Sequence, residues 1–173
     1  MITAAQAQTL LDLPKHIVEE EKYLDRKNYA PKLPIDDRIY MASKTDDEFT
    51  FFLDIWQRSK QQIKITLYFQ EDDSSIGLLR VDFNGRHKNP EIENENVPDI
   101  FKPYAGKLLE ESHIHYFVDG YKTLNWAIPL EIDDSFPVKN FTDSSQIGSI
   151  IQAFGKKINL KTQLKITYQT NIR

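Results

Sequence analysis

The sequence predicts an α+β fold: an antiparallel meander sheet with N-terminal and C-terminal helices packed on one face. Three observations predict it. Apolar and polar residues alternate in three successive stretches between residues 48 and 84, separated by short polar turns, the pattern of consecutive half-buried strands. The longer helical patterns lie towards the two ends of the chain. Asn84-Gly85 and Asp119-Gly120 supply strong turn signals between the later strands.

Residues 3–12 predict a helix with Thr3 as N-cap and Leu10 and Leu11 on its buried side. Pro14 interrupts it, and helix-forming residues continue over 15–26, with Glu19, Glu20 and Glu21 as a solvated face and His16 at the surface. Residues 29–35, with Pro31 and Pro34, read as an extended connection. The strands begin at 48–58, where Phe49, Phe51, Leu53 and Ile55 share one face, while Thr50, Phe52, Asp54, Trp56 and Arg58 share the other. Ile63, Ile65, Leu67 and Phe69 against Lys64, Thr66 and Tyr68 give the cleanest alternation. A polar turn at 71–75 leads into a third strand ending at Asn84-Gly85.

Residues 91–111 form a long acidic connection, a candidate lid or partner-binding flap or else a tolerated insertion, with a short helix expected at 107–111. A strand follows at 113–116, the turn at Asp119-Gly120, and a return strand over 122–130 ended by Pro129, with Trp126 in the core. Ser144 or Ser145 then caps a helix with the apolar stripe Ile147, Ile150, Ile151 and Phe154, closed by Gly155. Residues 160–167 alternate as a last strand, and the remainder is a tail.

The chain of 173 residues reads as a single domain, 1–173, large enough for a core without a staple. It contains no cysteine, which excludes disulfides and thiolate metal sites and fits a reducing, cytoplasmic setting. No signal pattern or membrane-length apolar run is present, so the Asn140-Phe141-Thr142 sequon carries no weight. With 22 Lys plus Arg against 26 Asp plus Glu, the net charge is −4 and the pI about 5.6. That balance argues against general nucleic-acid binding, though not against a small basic site on an acidic body.

The chemistry concentrates in 78–90 and 112–116. Strand alternation puts Arg80, Asp82 and Asn84 on one face and Leu79, Val81 and Phe83 on the other; His113 and His115 likewise share a face, with Ile114 and Tyr116 behind. Were the two strands antiparallel neighbours, an arginine, a carboxylate, an amide and two imidazoles would meet on one surface, and His87, past the Asn84-Gly85 turn, would lean over them. Arg58 and Asp54 are weaker candidates for the same polar face. A His-x-His pair is equally the mark of an ordinary polar face, and Arg80 with Asp82 of a surface ion pair.

The run L-R-V-D-F-N-G-x-H-x-N-P, then H-I-H-Y, D-G-Y and W-A-I-P-L, resembles a family of uncharacterised bacterial proteins of this length, which carry R-L-D-x-x-G-x-x-H-x-N-P-D-G, H-L-H-I-Y, G-Y and W-A-x-P-L. The likeness extends to L-L-D-L-P-K and F-F-L-D-I, covering nearly the whole chain, and departs between Pro90 and His113. The centre is also similar to TumE-type toxins of toxin-antitoxin pairs, with R-x-D-N-A-x-H-H followed by H-x-H, which implies a nuclease-like or toxin-like site.

The residues suit two mechanisms. In one, an endoribonuclease needs no cofactor: His113 and His115, with His87 nearby, move protons between the RNA 2′-hydroxyl and the leaving oxygen, while Arg80 stabilises charge at phosphorus and Asp82 orients an imidazole. Asn84, Arg58 and Asp54 would then contact substrate. In the other, His87, His113, His115 and Asp82 hold a divalent ion such as Mn²⁺ or Zn²⁺ that activates water. A third reading is non-catalytic: a phage- or mobile-element-encoded inhibitor of anti-CRISPR type, presenting the acidic segment 91–95 to a CRISPR effector or comparable partner.

Overall fold

The computed structural model describes residues 2–58 and 63–167. Two α-helices and twelve strands follow one another as α1 (Ala4–Asp12), β1 (His16–Glu19), β2 (Lys22–Leu24), β3 (Arg26–Tyr29), β4 (Asp36–Ala42), β5 (Thr50–Gln57), β6 (Ile65–Glu71), β7 (Ile76–Phe83), β8 (His87–Lys88), β9 (Leu108–Leu109), β10 (His113–Tyr116), β11 (Trp126–Pro129), α2 (Ile147–Lys157) and β12 (Gln163–Ile166). Eight strands make one sheet in the order β11-β10-β7-β6-β5-β4-β1-β2, and every neighbouring pair is antiparallel. This is the α+β architecture expected, and β4 to β7 run as a meander. Two small pairs stand apart: β8 with β9, and β3 with β12 in parallel.

The alternation read in β5 to β7 turns into burial. Phe51, Leu53, Ile55, Leu67, Phe69, Leu79, Val81 and Phe83 are buried and join α1's Ala7, Leu10 and Leu11 and α2's Ile147, Ile150, Ile151 and Phe154 in one hydrophobic cluster. Thr3 caps α1 through a reciprocal box with Gln6, and Asp119 Oδ1 accepts the Ala4 N–H at 2.8 Å.

Several expected elements differ. Residues 15–26 do not continue the helix but form the β1–β2 hairpin, because Ile17 and Val18 favour strand and Glu20 and Glu21 turn through left-handed backbone (φ 48° and 63°). Strand β4, which the reading passed over, hides its alternation behind Asp36, Asp37 and Arg38, and only Ile39 and Met41 are buried. The helix expected at 107–111 is instead β9, pulled straight by β8. The return strand shrinks to β11, since residues before it turn, with Leu124 at φ 56°. Asp143, rather than Ser144 or Ser145, caps the C-terminal helical segment. Gly155 lies inside α2, where a Cβ would sit 3.4 Å from Leu160. The tail at 168–173 lies outside the described residues.

The 91–111 connection is pinned rather than free. Val97 and Phe101 are buried in the core, Asn94 donates to Asp119 O, and Tyr121 donates to Ile92 O. Among the described residues no helix is long and apolar enough to cross a membrane.

Among the described residues, Lys15 is the one fully buried lysine. Its ammonium donates to the carbonyls of Leu11, Leu13 and Ile158 at 2.9, 2.7 and 2.9 Å and lies over the rings of Phe51 and Phe69. Burial pulls its pKa down to about 7, with Asp12 opposing; three carbonyls that only three donors satisfy together also favour the charged form. The C-terminal ends of both helices therefore share one cation. Lys15→Met is expected to cost about 2–5 kcal/mol by stranding these carbonyls, read as a lower urea midpoint; an unchanged midpoint would show that they find water instead.

Candidate functional site

The site is built by one register. In the β7–β10 pair, Asp82 stands opposite His113 and Arg80 opposite His115, with Val81 opposite Ile114 on the other face. From the other side β6 brings Thr66 opposite Asp82 and Tyr68 opposite Arg80. Arg80, Asp82, His113 and His115, predicted from separate segments, thus come together.

Asp82 is the hub. Arg80 grips it through Nε to Oδ2 at 2.7 Å and Nη2 to Oδ1 at 3.1 Å, and Thr66 Oγ1 donates to Oδ1 at 2.6 Å. His115 Nε2 lies 3.0 Å from Oδ2 and His113 Nε2 3.5 Å from it. The last distance brings charge proximity without hydrogen-bond geometry, so His113 Nε2 has no hydrogen-bond partner among the described residues.

Each imidazole is held from behind by a backbone carbonyl. His113 Nδ1 is 2.7 Å from Glu111 O, His115 Nδ1 is 2.9 Å from Leu124 O, and His87 Nε2 is 2.9 Å from Asn125 O. A carbonyl only accepts, so each of these contacts calls for a proton on that nitrogen; His115 Nε2 also lies within hydrogen-bond distance of the acceptor Asp82 Oδ2, so that ring is flanked by acceptors on both sides. The three rings touch, with His87 4.5 Å from His115 and His113 4.9 Å from His115 between centroids.

The cluster is deeper than a strand face suggests. His113, His115 and Asp82 are only 1, 2 and 5 % exposed, His87 is half-buried, and the Arg80 side chain remains 44 % exposed. Burial opposes ionisation of Asp82, but the His113 and His115 imidazoles and the Arg80 guanidinium outweigh it and hold the carboxyl well below its usual range. Burial lowers His115 to about 4 despite Asp82, and lowers His87 in the same direction.

The remaining sequence candidates lie elsewhere. Asn84, at φ 55°, donates through Nδ2 to the carbonyls of Ile63 and Phe141 and through its backbone to Ser112 Oγ, so it clasps three segments together. Asp54 shares the open face with Tyr68 but is held bidentately by Arg38 at 2.7 and 2.8 Å. Arg58 is exposed just past the end of β5, with β6 between it and β7. His16 lies on β1 towards the other end of the sheet, 3.8 Å from Asp25.

Two contributors escaped the sequence reading. Thr66 had a signal, since it falls on the polar side of the clearest alternation. Asn89 had only its place in the N-P motif; it is buried and pairs with both backbone groups of Ala127, at 2.8 and 2.9 Å, fixing the β8 segment against β11. Gly85 matters for its missing side chain: a Cβ there would stand 3.1 Å from Asp82 Cβ and 3.4 Å from His113 Cε1.

Among the described residues, Asp82, His113 and His115 offer ligand atoms within 4.8 Å of one another and are the set able to hold a metal ion. His87 adjoins that set without being part of it. A cleft of about 580 Å³ beside α2 is lined by Val138, Ser149, Gln152 and Lys156 among others; it lacks an imidazole or carboxylate and is not a competing centre.

Because folding takes His115 from an ordinary value of 6.5 to about 4, the unfolded chain binds the extra proton in between. In EDTA, stability is therefore expected to be intact above pH 6.5 and to fall by roughly 3 kcal/mol as pH drops towards 4. His115→Gln should flatten this part of a urea-midpoint profile; an equally steep profile in the variant would contradict the assignment.

The model of one family, described as a family of unknown function (DUF6978), matches residues 2–160. No curated protein and no solved structure matches the chain. With nearly all of its length inside that match, the chain belongs to DUF6978.

Proposed function

We propose that the chain is an RNA-directed nuclease of toxin or defence type, with the cluster at the β7–β10 junction as its centre. The observation that carries the reading is a single buried carboxylate joining an outward-facing arginine to two buried imidazoles, with a third imidazole leaning over them. Arrays that combine imidazoles, a fixed anion and an accessible guanidinium serve phosphoryl chemistry more readily than structure alone, which buries charge at a cost. The likeness of the central motif to TumE-type toxins points the same way.

Roles divide by depth. Arg80, half open to solvent, meets the phosphate and stabilises charge developing on its oxygens. His87 is the accessible imidazole; with Nε2 committed to Asn125 O and its pKa lowered by burial, it is neutral near pH 7 and suited to accept the 2′-hydroxyl proton through Nδ1. His113 and His115 lie behind it, too enclosed to touch a polymer directly, and act from the floor of the site. The non-catalytic reading, a module that binds a basic partner, has one observation in its favour: the exposed run Glu91, Ile92, Glu93 and Glu95, with Ile92 80 % exposed.

Incubation of the purified protein with RNA, with and without EDTA, tests the proposal. Cleavage is expected, with His87→Ala and Arg80→Ala each slower by about 10²- to 10⁴-fold. Activity that survives EDTA assigns proton transfer to the imidazoles alone; activity lost in EDTA assigns water activation to an ion. An inert wild type, or cleavage indifferent to both substitutions, removes the nuclease reading and leaves the binding module.

A further inference from the structure

We infer that Asp82, His113 and His115 form a mononuclear site for a divalent transition-metal ion, and this inference stands whether or not the protein cleaves RNA. The argument begins with lone pairs. A carboxylate has about four acceptor positions, and Asp82 spends three of them on Thr66 and the two nitrogens of Arg80. The remaining one is on Oδ2, where His115 Nε2 comes to hydrogen-bond distance at 3.0 Å and His113 Nε2 to 3.5 Å.

Both imidazoles meet acceptors at both nitrogens: Nδ1 of each faces a carbonyl and Nε2 of each faces Asp82 Oδ2, at 3.0 Å from His115 and 3.5 Å from His113, so in a neutral ring with Nδ1 protonated the Nε2 lone pair points at a carboxylate oxygen. Such nitrogens and the carboxylate, converging in a site from which water is almost excluded, repel one another unless a proton or a metal cation lies between them. His113 Nε2, buried and without a hydrogen-bond partner among the described residues, is the sign that the arrangement is incomplete as a purely polar network.

The spacing suits a metal. An ion bonded to its donors at about 2.0–2.2 Å sets neighbouring donors about 2.8–3.1 Å apart at right angles and about 3.3–3.6 Å apart at tetrahedral angles. The two Nε2–Oδ2 separations, 3.0 and 3.5 Å, match that geometry, and all three donors lie within 4.8 Å of one another. The supporting contacts have the form that metal sites use: carbonyls fix each imidazole tautomer, and Thr66 and Arg80 orient the carboxylate. Two imidazoles with one carboxylate select Zn²⁺, Mn²⁺, Fe²⁺ or Co²⁺ over Mg²⁺ and Ca²⁺, which prefer oxygen donors. Three protein ligands leave a position open, and half-buried His87 flanks it.

Tag-free protein stripped with EDTA, then titrated with Zn²⁺ and Co²⁺, tests the site. The expected result is one ion per chain, visible Co²⁺ d–d bands, and a Tm rise of about 5–10 °C at a hundredfold excess of Zn²⁺ over its Kd, with Mg²⁺ giving none. His113→Ala and His115→Ala should abolish all three effects, while His16→Ala, the histidine outside the cluster, should keep them. Should those variants fail to fold, imidazole nitrogen NMR of the wild type decides: Zn²⁺ must shift Nε2 of His113 and His115 and leave His16 unmoved. No stoichiometric binding, binding retained without the two histidines, or perturbation of His16 instead would overturn the assignment.

Discussion

The structure turns on the register between β7 and β10. Side chains alternate along a strand, so a slip of one residue would send both imidazoles to the hydrophobic side and Ile114 to the polar one. Burial forbids that: Val81 and Ile114, paired opposite each other, are completely enclosed, and Leu79 opposite Tyr116 continues the same row. The bond from the Asn84 N–H to Ser112 Oγ fastens the end of the pair nearest Asp82. Apolar packing on one face thereby fixes polar geometry on the other, and the Asp82 constellation takes its precision from the core rather than from its own interactions.

Much of this was legible. β6 and β7 announce themselves by strict alternation, and the prediction that Arg80, Asp82, His113 and His115 share a surface needs only that alternation plus adjacency. The elements that were not legible have particular causes. β1 and β2 were masked by Glu19, Glu20, Glu21 and Lys22, good helix formers whose preference yields to packing of the completely buried Ile17. β4 was masked by its charged beginning.

The depth of the cluster was also hidden. On an open sheet, residues opposite the apolar face meet water, and for Arg38, Tyr40 and Trp56 that holds. At the β10 end it fails because Gly85, His87 and the turn carrying Leu124 and Asn125 fold across the sheet. The carbonyls that fix the imidazoles come from this covering layer and from Glu111, and main-chain acceptors leave no trace in residue identity. A sequence reveals which side chains are available for chemistry, but the backbone around them decides their tautomers and exposure.

The parallel pairing of β12 with β3, together with the bond from Lys15 to Ile158 O, joins segments more than a hundred residues apart. During synthesis on the ribosome, β3 must wait for its parallel partner until residue 166 has left the exit tunnel, while β1, β2, β4 and β5 find antiparallel neighbours among themselves. The stretch from 65 to 129, which contains Arg80, Asp82, His87, His113 and His115, needs no such late arrival for its strand pairing. Nascent chains can thus assemble the histidine cluster before the ends close, and a truncation that removes β12 would strike the opposite margin of the molecule first.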